Sequence, residues 1–387
     1  MIDSVAFTHL KCFDTLRVEL APLTLLTGFN AAGKSTSYQP ILLVAQALRT
    51  APGSELLGLN GPLVKLGTAG EVLASGIDNS PAKISIDANG TSITWDLRPA
   101  PRSGGSGALI VESGSLSTAD EKPISWTRRL LPQGTISPGG EALLATIRDV
   151  IYVSASRLGT SEVFPSPDDS GVSHADVGPR GEYAPWWYAQ FADEEIASDR
   201  RHKDEEGLTL RRQLDAFLSD IFPGGQANAE VIPRTSFVHL GLRSDIKSDW
   251  RRPINTGYGM SYVFPALVAL LLAKPHQTVI IDSPEAHLHP RGQSIMGRHL
   301  AHFSNAGVQI IIETHSDHIL NGIRCATRES IINPDKIAIY FFASPDNEKH
   351  QQRVQNLRVD GAGNINNWPQ GFFDQAERDL ANIAGWD

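Results

Sequence analysis

Apolar residues follow different rhythms along this chain. In the last third, segments with helical spacing at 260–272, 292–303 and 317–326 alternate with short unbroken apolar runs at 278–282, 308–312 and 336–342. That alternation predicts an α/β fold, a mostly parallel sheet with helices on its faces. The chain opens the same way, with 22–27 reading as a short buried strand and 38–48 as a helix. Between 60 and 150 the runs are shorter and β-type, as at 82–87 and 92–97, and predict an antiparallel lobe. A strand at 150–153, a helix at 210–221 and a strand at 237–242 follow. Two stretches break the pattern: 98–115 is rich in Gly, Ser and Pro, and 165–204 mixes prolines, glycines and charges, so both read as mobile loops. The chain thus divides into 1–97, holding the first part of the core and the antiparallel lobe; 98–235, loops and a helical insertion; 236–345, the rest of the core; and 346–387, a closing module.

Candidate chemistry sits where the strands end. Gly28-Phe29-Asn30-Ala31-Ala32-Gly33-Lys34-Ser35-Thr36, between a strand and a helix, fits the phosphate-cradling pattern G-x-x-x-x-G-K-[ST]. Gly28 and Gly33 let backbone N–H groups turn toward an anion, Lys34 reaches the β- and γ-phosphates, and the Ser35 hydroxyl ligates Mg²⁺. A nucleoside triphosphate site is therefore expected. Val279-Ile280-Ile281-Asp282-Ser283-Pro284-Glu285 is a buried strand ending in carboxylates, which places Asp282 to hold Mg²⁺ and a second carboxylate to orient or deprotonate a water. The next strand runs into Glu313-Thr314-His315-Ser316 and brings His315 to the same edge. There it either contacts a γ-phosphate or is structural, with Thr314 or Ser316 capping the following helix.

Composition narrows the classes. At 387 residues and 41% hydrophobic content the chain can bury one large or two closely packed domains. Its longest apolar run, 263–273, is interrupted by Pro265 and too short for a bilayer, and no charged-then-apolar leader opens it, so a cytoplasmic protein without a membrane span is expected. Cys12 and Cys325 alone allow no disulfide framework and fit a reducing compartment. With 34 basic against 43 acidic residues, a net charge of −9, nucleic-acid contact would need a local basic patch; Arg211-Arg212 and Arg251-Arg252 are the candidates.

The loop G-x-N-x-x-G-K-S-T, the 281–290 segment I-D-S-P-E-A-H-L-H-P and the 313–316 segment E-T-H-S resemble the ATPases of the ABC superfamily, and more narrowly its OLD-like and RecF/SMC-like branch. Gly257-Tyr258-Gly259-Met260-Ser261-Tyr262 resembles that branch's degenerate signature motif, and Ser154-Ala155-Ser156-Arg157-Leu158-Gly159 a segment that follows a core strand. The resemblance implies an ATPase head using ATP and Mg²⁺. It also implies a nucleotide gripped by Gly28 and by Asn30, Ala31, Ala32, Gly33, Lys34, Ser35 and Thr36, metal at Ser35 and Asp282, and catalysis by Asp282, Glu285 and His315. Gly259 and Ser261 would then close on the γ-phosphate bound by another subunit, in a head-to-tail homodimer or higher homo-oligomer. Residues 363–374 resemble a closing module of such ATPases, often found in prokaryotic anti-phage defence with a separate effector, a nuclease or toxin. Two departures stand out. Ser283 occupies the place of the usual catalytic Glu, so turnover is expected to be slow or to depend on Glu285. Ala31 replaces a common Gly, a small matter if its φ is negative.

Other readings compete. Glu285, His287, His289, His315, Asp317 and His318 could ligate a metal, though Pro284 and Pro290 favour a turn over an extended ligand strand. The roughly 60 residues after the histidine helix are too few for a fused Toprim nuclease. A nucleotide-switched scaffold with little turnover, and a RecF-like DNA repair ATPase, remain as alternatives.

Overall fold

In a computed structural model that describes residues 1–73, 81–100, 107–119, 122–168, 175–343, 353–369 and 371–385, the unbroken apolar runs become neighbouring strands of one sheet. Its order is β16 (Val354–Leu357), β15 (Ile337–Phe342), β3 (Leu23–Gly28), β14 (Gln309–Glu313), β13 (Thr278–Asp282) and β9 (Ile151–Val153). All neighbours are parallel except the β15/β16 pair at the edge. Both faces of the inner strands are covered, and for that reason they are mostly apolar along their length, whereas Asn356 of the edge strand β16 is exposed. Val279, Ile281, Ile310 and Ile312 join one core, while Ile280, Ile311 and Tyr152 join the other.

The first core is helical. It holds α4 (Ala184–Phe191), α5 (Leu210–Ile221), α6 (Tyr258–Leu272), α7 (Pro290–Asn305) and α8 (Asp317–Arg328), with a small sheet of β10 (Phe164–Pro165), β12 (Phe237–Arg243) and β11 (Gln226–Val231) beside it. α6 buries residues around its whole circumference, as an apolar helix must. The second core lies between the parallel sheet and an antiparallel one ordered β2 (Phe13–Glu19), β1 (Ser4–Leu10), β5 (Ala82–Ala88), β6 (Thr91–Pro99), β7 (Ala108–Thr118) and β4 (Leu56–Gly58), with β8 (Ile124–Thr127) paired to β7. α1 (Gln39–Thr50) and α3 (Pro138–Arg148) fill it, and the short α2 (Ala69–Val72) borders it. Here strands alternate: Ile84, Ile86, Ile93, Trp95 and Leu97 point inward while Lys83 is exposed. The helix α9 (Gln375–Ala384) lies within the closing module.

Two expectations need correction. Much of 98–115 is not a loop but the end of β6 and most of β7, whose Leu109 and Val111 are buried; residues 101–106 lie outside the described residues. Cross-strand pairing with β6, a non-local gain, overrides the Gly and Ser content. Likewise 165–204 contains α4, where Tyr188 is buried edge-on against Phe264 and its hydroxyl donates to the Ala227 carbonyl at 2.8 Å; 169–174 lie outside the described residues. Among the described residues no helix is long and apolar enough to cross a membrane.

Candidate functional site

Three adjacent strands deliver the site to the carboxyl edge of the parallel sheet, where ligands of open α/β sheets bind. β3 ends at Gly28, β14 at Glu313 and β13 at Asp282, and Asp282 pairs with Glu313 in register. The loop after β3 curls because two positions admit only glycine. Gly28 has φ +126°, and a Cβ there would meet the Phe342 carbonyl oxygen at 2.2 Å; Gly33 has φ +102°, with the Phe13 ring 2.3 Å from its would-be Cβ. Ala31 sits at φ 58°, so the condition of a negative φ, under which its replacement of Gly would be a small matter, is not met: the common Gly has been replaced in a left-handed conformation.

Lys34 is only 4% exposed, and its ammonium donates to the carbonyls of Phe29 (2.7 Å) and Gly28 (3.2 Å). Burial lowers its pKa, against the upward pull of Glu313 and Asp282. The Ser35 hydroxyl donates to Glu313 Oε2 at 2.7 Å, and the Tyr38 hydroxyl to the same oxygen at 3.0 Å. Burial raises the Glu313 pKa, the Ser35 hydrogen bond opposes that rise, and the negative Asp282 adds to it. Asp282 Oδ1 accepts from the Ser283 hydroxyl at 2.9 Å. Beyond it, Glu285 accepts from the Thr314 hydroxyl (2.8 Å) and from the His315 backbone N–H (2.9 Å), and burial raises its pKa. His315 is exposed beside the loop; burial of part of the ring and then Lys34 lower its pKa, favouring the neutral imidazole. Ser316, not Thr314, caps α8, accepting from the Ile319 N–H at 3.1 Å.

Arg157 ties this edge to α6. Its buried guanidinium donates to the carbonyls of Asp282 (2.7 Å), Ser283 (3.3 Å) and Tyr262 (3.2 Å), and burial holds its pKa down to about 10. Ser261 is 3% exposed and its hydroxyl donates to the Tyr258 carbonyl at 3.0 Å, so it is not the outward contact implied for it. Its helix instead presents the exposed Gly257 and Tyr258, with Gly259 half-buried against the His287 carbonyl. The reading of 285–289 and 315–318 as metal ligands finds no support in the geometry: the His287 ring lies against Tyr258 and Tyr262, His289 caps α7, and no group of three or more His, Cys, Asp or Glu among the described residues is arranged to hold a metal.

The sequence reading assigned no role to Glu313, Tyr38 or Arg157. A signal for Glu313 existed, because Ile310-Ile311-Ile312-Glu313 repeats, one strand over, the apolar-run-then-carboxylate pattern that marked Asp282. Tyr38 and Arg157 carried none, since each acts through residues distant in sequence. The donor set suits a magnesium nucleotide: a hydroxyl and carboxylates are hard oxygen ligands, and a loop of backbone N–H groups with a lysine suits phosphates. Beside the loop a cavity of about 330 Å³ is lined by Gly28, Phe29, His315 and residues of the closing module, among them Gly371 and Phe372.

Comparison with known proteins agrees with this geometry. Residues 23–321 match the family described as "AAA domain, putative AbiEii toxin, Type IV TA system", and 332–383 match a family of unknown function, DUF3696. Among curated proteins nothing matches. The Smc head domain with an extended coiled coil bound to the C-terminal domain of ScpA, from Pyrococcus furiosus, is 12% identical with a TM-score of 0.50, covering 99% of each chain. The SmcHead bound to the C-winged helix domain of ScpA is 14% identical with a TM-score of 0.48, covering 93% of this chain and 98% of that one. Because the 23–321 match takes in most of the chain, including the phosphate loop, Arg157, Asp282, Glu313 and His315, the protein belongs to this AAA-domain family and carries a P-loop ATPase head of SMC-like fold.

Proposed function

We propose that the protein binds ATP with Mg²⁺ at the Gly28–Thr36 loop and hydrolyses it slowly. The convergence of Lys34, Ser35, Asp282 and Glu313 at one sheet edge is the observation that carries this reading. Lys34 exchanges its loop carbonyls for phosphate oxygens, and Ser35 and Asp282 hold the metal. Glu313, already bonded to the Ser35 hydroxyl, orients that ligand. Bound Mg²⁺ would neutralise charge on the phosphates. Water attacks the γ-phosphorus in line and the bond to the β,γ-bridging oxygen breaks, giving ADP and phosphate. Glu285 orients the water and fixes His315, whose neutral ring faces the γ-phosphate. Slow turnover follows from Ser283, which donates a hydrogen bond to Asp282 where a carboxylate would accept a proton.

We also infer that heads pair around nucleotide, with the exposed Gly257 and Tyr258 closing the site, and that the pair controls a separate effector in prokaryotic defence. The family's toxin–antitoxin description supports that setting. Phosphate release and light scattering with and without MgATP test the reading. Mg²⁺-dependent turnover that falls in Glu285→Gln, with an ATP-dependent rise in mass, is expected; absence of ATP binding would overturn it. Tight binding and pairing without turnover would instead favour a nucleotide-switched scaffold, a reading that Ser283 also suits.

A further inference from the structure

A second cavity lies away from the phosphate loop. It measures about 640 Å³, within the range of small-molecule sites, and lies between α5, α7 and the turn after α8. One stripe of α7 lines it: Arg291, Ile295, Arg298 and His302 recur at helical spacing, with His299 adjoining. This face packs on α5 only in part, through His299 and His302 against Phe217, and its remainder borders the cavity. From α5 come Phe217 and Asp220, and His202 and Lys203 complete the wall.

Two of its buried polar atoms find no hydrogen-bond partner among the described residues. His202 Nε2 lies 3.0 Å from Asp220 Oδ2, but the Nε2 atoms of His299 and His302 are buried with no hydrogen-bond partner. His299 is 6% exposed, and its Nε2 lies 3.5 Å from Asp220 Oδ2 without forming a hydrogen bond. Buried polar atoms left so are rare and ask for a partner. Burial holds the His299 pKa down to about 4 and lowers that of His302, so both rings are neutral near pH 7 and offer nitrogen to a ligand without charge. The rings of His202, His299 and His302 all lie against Phe217, giving the interior an aromatic wall.

Charge at the mouth has one sign to spare. Glu329 is tied to Arg298, and Asp220 to His202. Arg291 is exposed with no side-chain partner among the described residues, and Lys203 has Asp204 at 4.0 Å and acts on Asp220 and Glu329 only through space. The described histidines and acids are not arranged as a metal site.

We propose that this cavity binds a small organic anion of about mononucleotide size, its body against Phe217 and Ile295, its polar atoms on His299 and His302, its charge on Arg291 and Lys203. The test uses 1-anilinonaphthalene-8-sulfonate, an aromatic anion that fits the volume, titrated into the full native chain at pH 7.5. One saturable dye site per chain is expected. The surface double variant Lys203→Glu/Arg291→Glu should weaken it about tenfold, the cavity-filling Ile295→Trp should abolish it, and Lys34→Ala should leave it unchanged, each with native circular dichroism. Absence of a saturable site, indifference to the charge reversal, or loss in Lys34→Ala with retention in the double variant would overturn the proposal. Should Ile295→Trp fail to fold, the double variant, confined to the mouth, decides alone.

Discussion

The two sheets use similar residues to opposite ends. In the inner strands of the parallel sheet both faces are covered, so consecutive isoleucines such as Ile310 and Ile311 serve two different cores. In the antiparallel sheet only alternate positions are covered, and polar residues between them reach solvent. The difference explains where chemistry lies. A parallel sheet lines up the carboxyl ends of all its strands on one edge, and with both faces occupied the polar ends Asp282 and Glu313 have only that edge to occupy. The antiparallel lobe sends strand ends both ways and collects no such set; its work is to enclose the second core and to support Gly33 through Phe13.

Stability measurements can break this comparison. Ile310→Ala and Ile311→Ala should each cost about 2–5 kcal/mol in chemical denaturation, because neither face is solvated. In the lobe the cost should alternate: Ile84→Ala of similar size, Lys83→Ala below about 0.5 kcal/mol although Lys83 lies 3.0 Å from Asp96. Equal costs at Lys83 and Ile84, or a cheap Ile311→Ala, would refute the two-faced account.

The helical layer should also carry an acid limb. Burial holds the folded pKa of His299 at about 4 against an ordinary 6.5. As pH falls through that window the unfolded chain takes the proton first, so stability should drop, by up to about 3 kcal/mol. The difference between wild type and His299→Leu across pH 4–7 reads this directly. Asp215, raised by burial to about 6, acts in the opposite sense over an overlapping window and cancels in the difference. A flat difference curve would mean that His299 is solvated.

At the shared edge, Lys34→Ala should weaken ATP binding about 100-fold by calorimetry, the loss of a buried charge-assisted contact. Unchanged affinity would detach the loop from phosphate binding. The smallest effect concerns Ala31: replacing it with Gly relieves a left-handed φ of 58° at some cost in chain entropy, for a net gain of about 0.5 kcal/mol in thermal unfolding. A loss of stability would show that this conformation is not strained.

Much of this molecule was legible beforehand, and the failures share a cause. The limits of β13 and α5 coincide with those read from periodicity, and the phosphate loop and the Asp282 strand end lie where their patterns placed them. In both cases the signal is local, a run of side chains whose burial period is set by the backbone itself. β7 escaped because its stability comes from pairing with β6, and α4 because its aromatic residues find partners such as Phe264 some 76 residues away.

The site divides along the same line. By itself the sequence marked Gly28, Gly33, Lys34 and Ser35 as a phosphate-loop pattern and Asp282 as a carboxylate ending a buried strand, since those properties belong to short segments. Only the tertiary structure decided that Glu313, one strand over, takes the Ser35 hydroxyl, that Ser261 turns inward, and that a stripe of α7 is left facing a cavity. Strand order, register and the spacing between packed helices are set by contacts among segments far apart in the chain, and no local pattern encodes them.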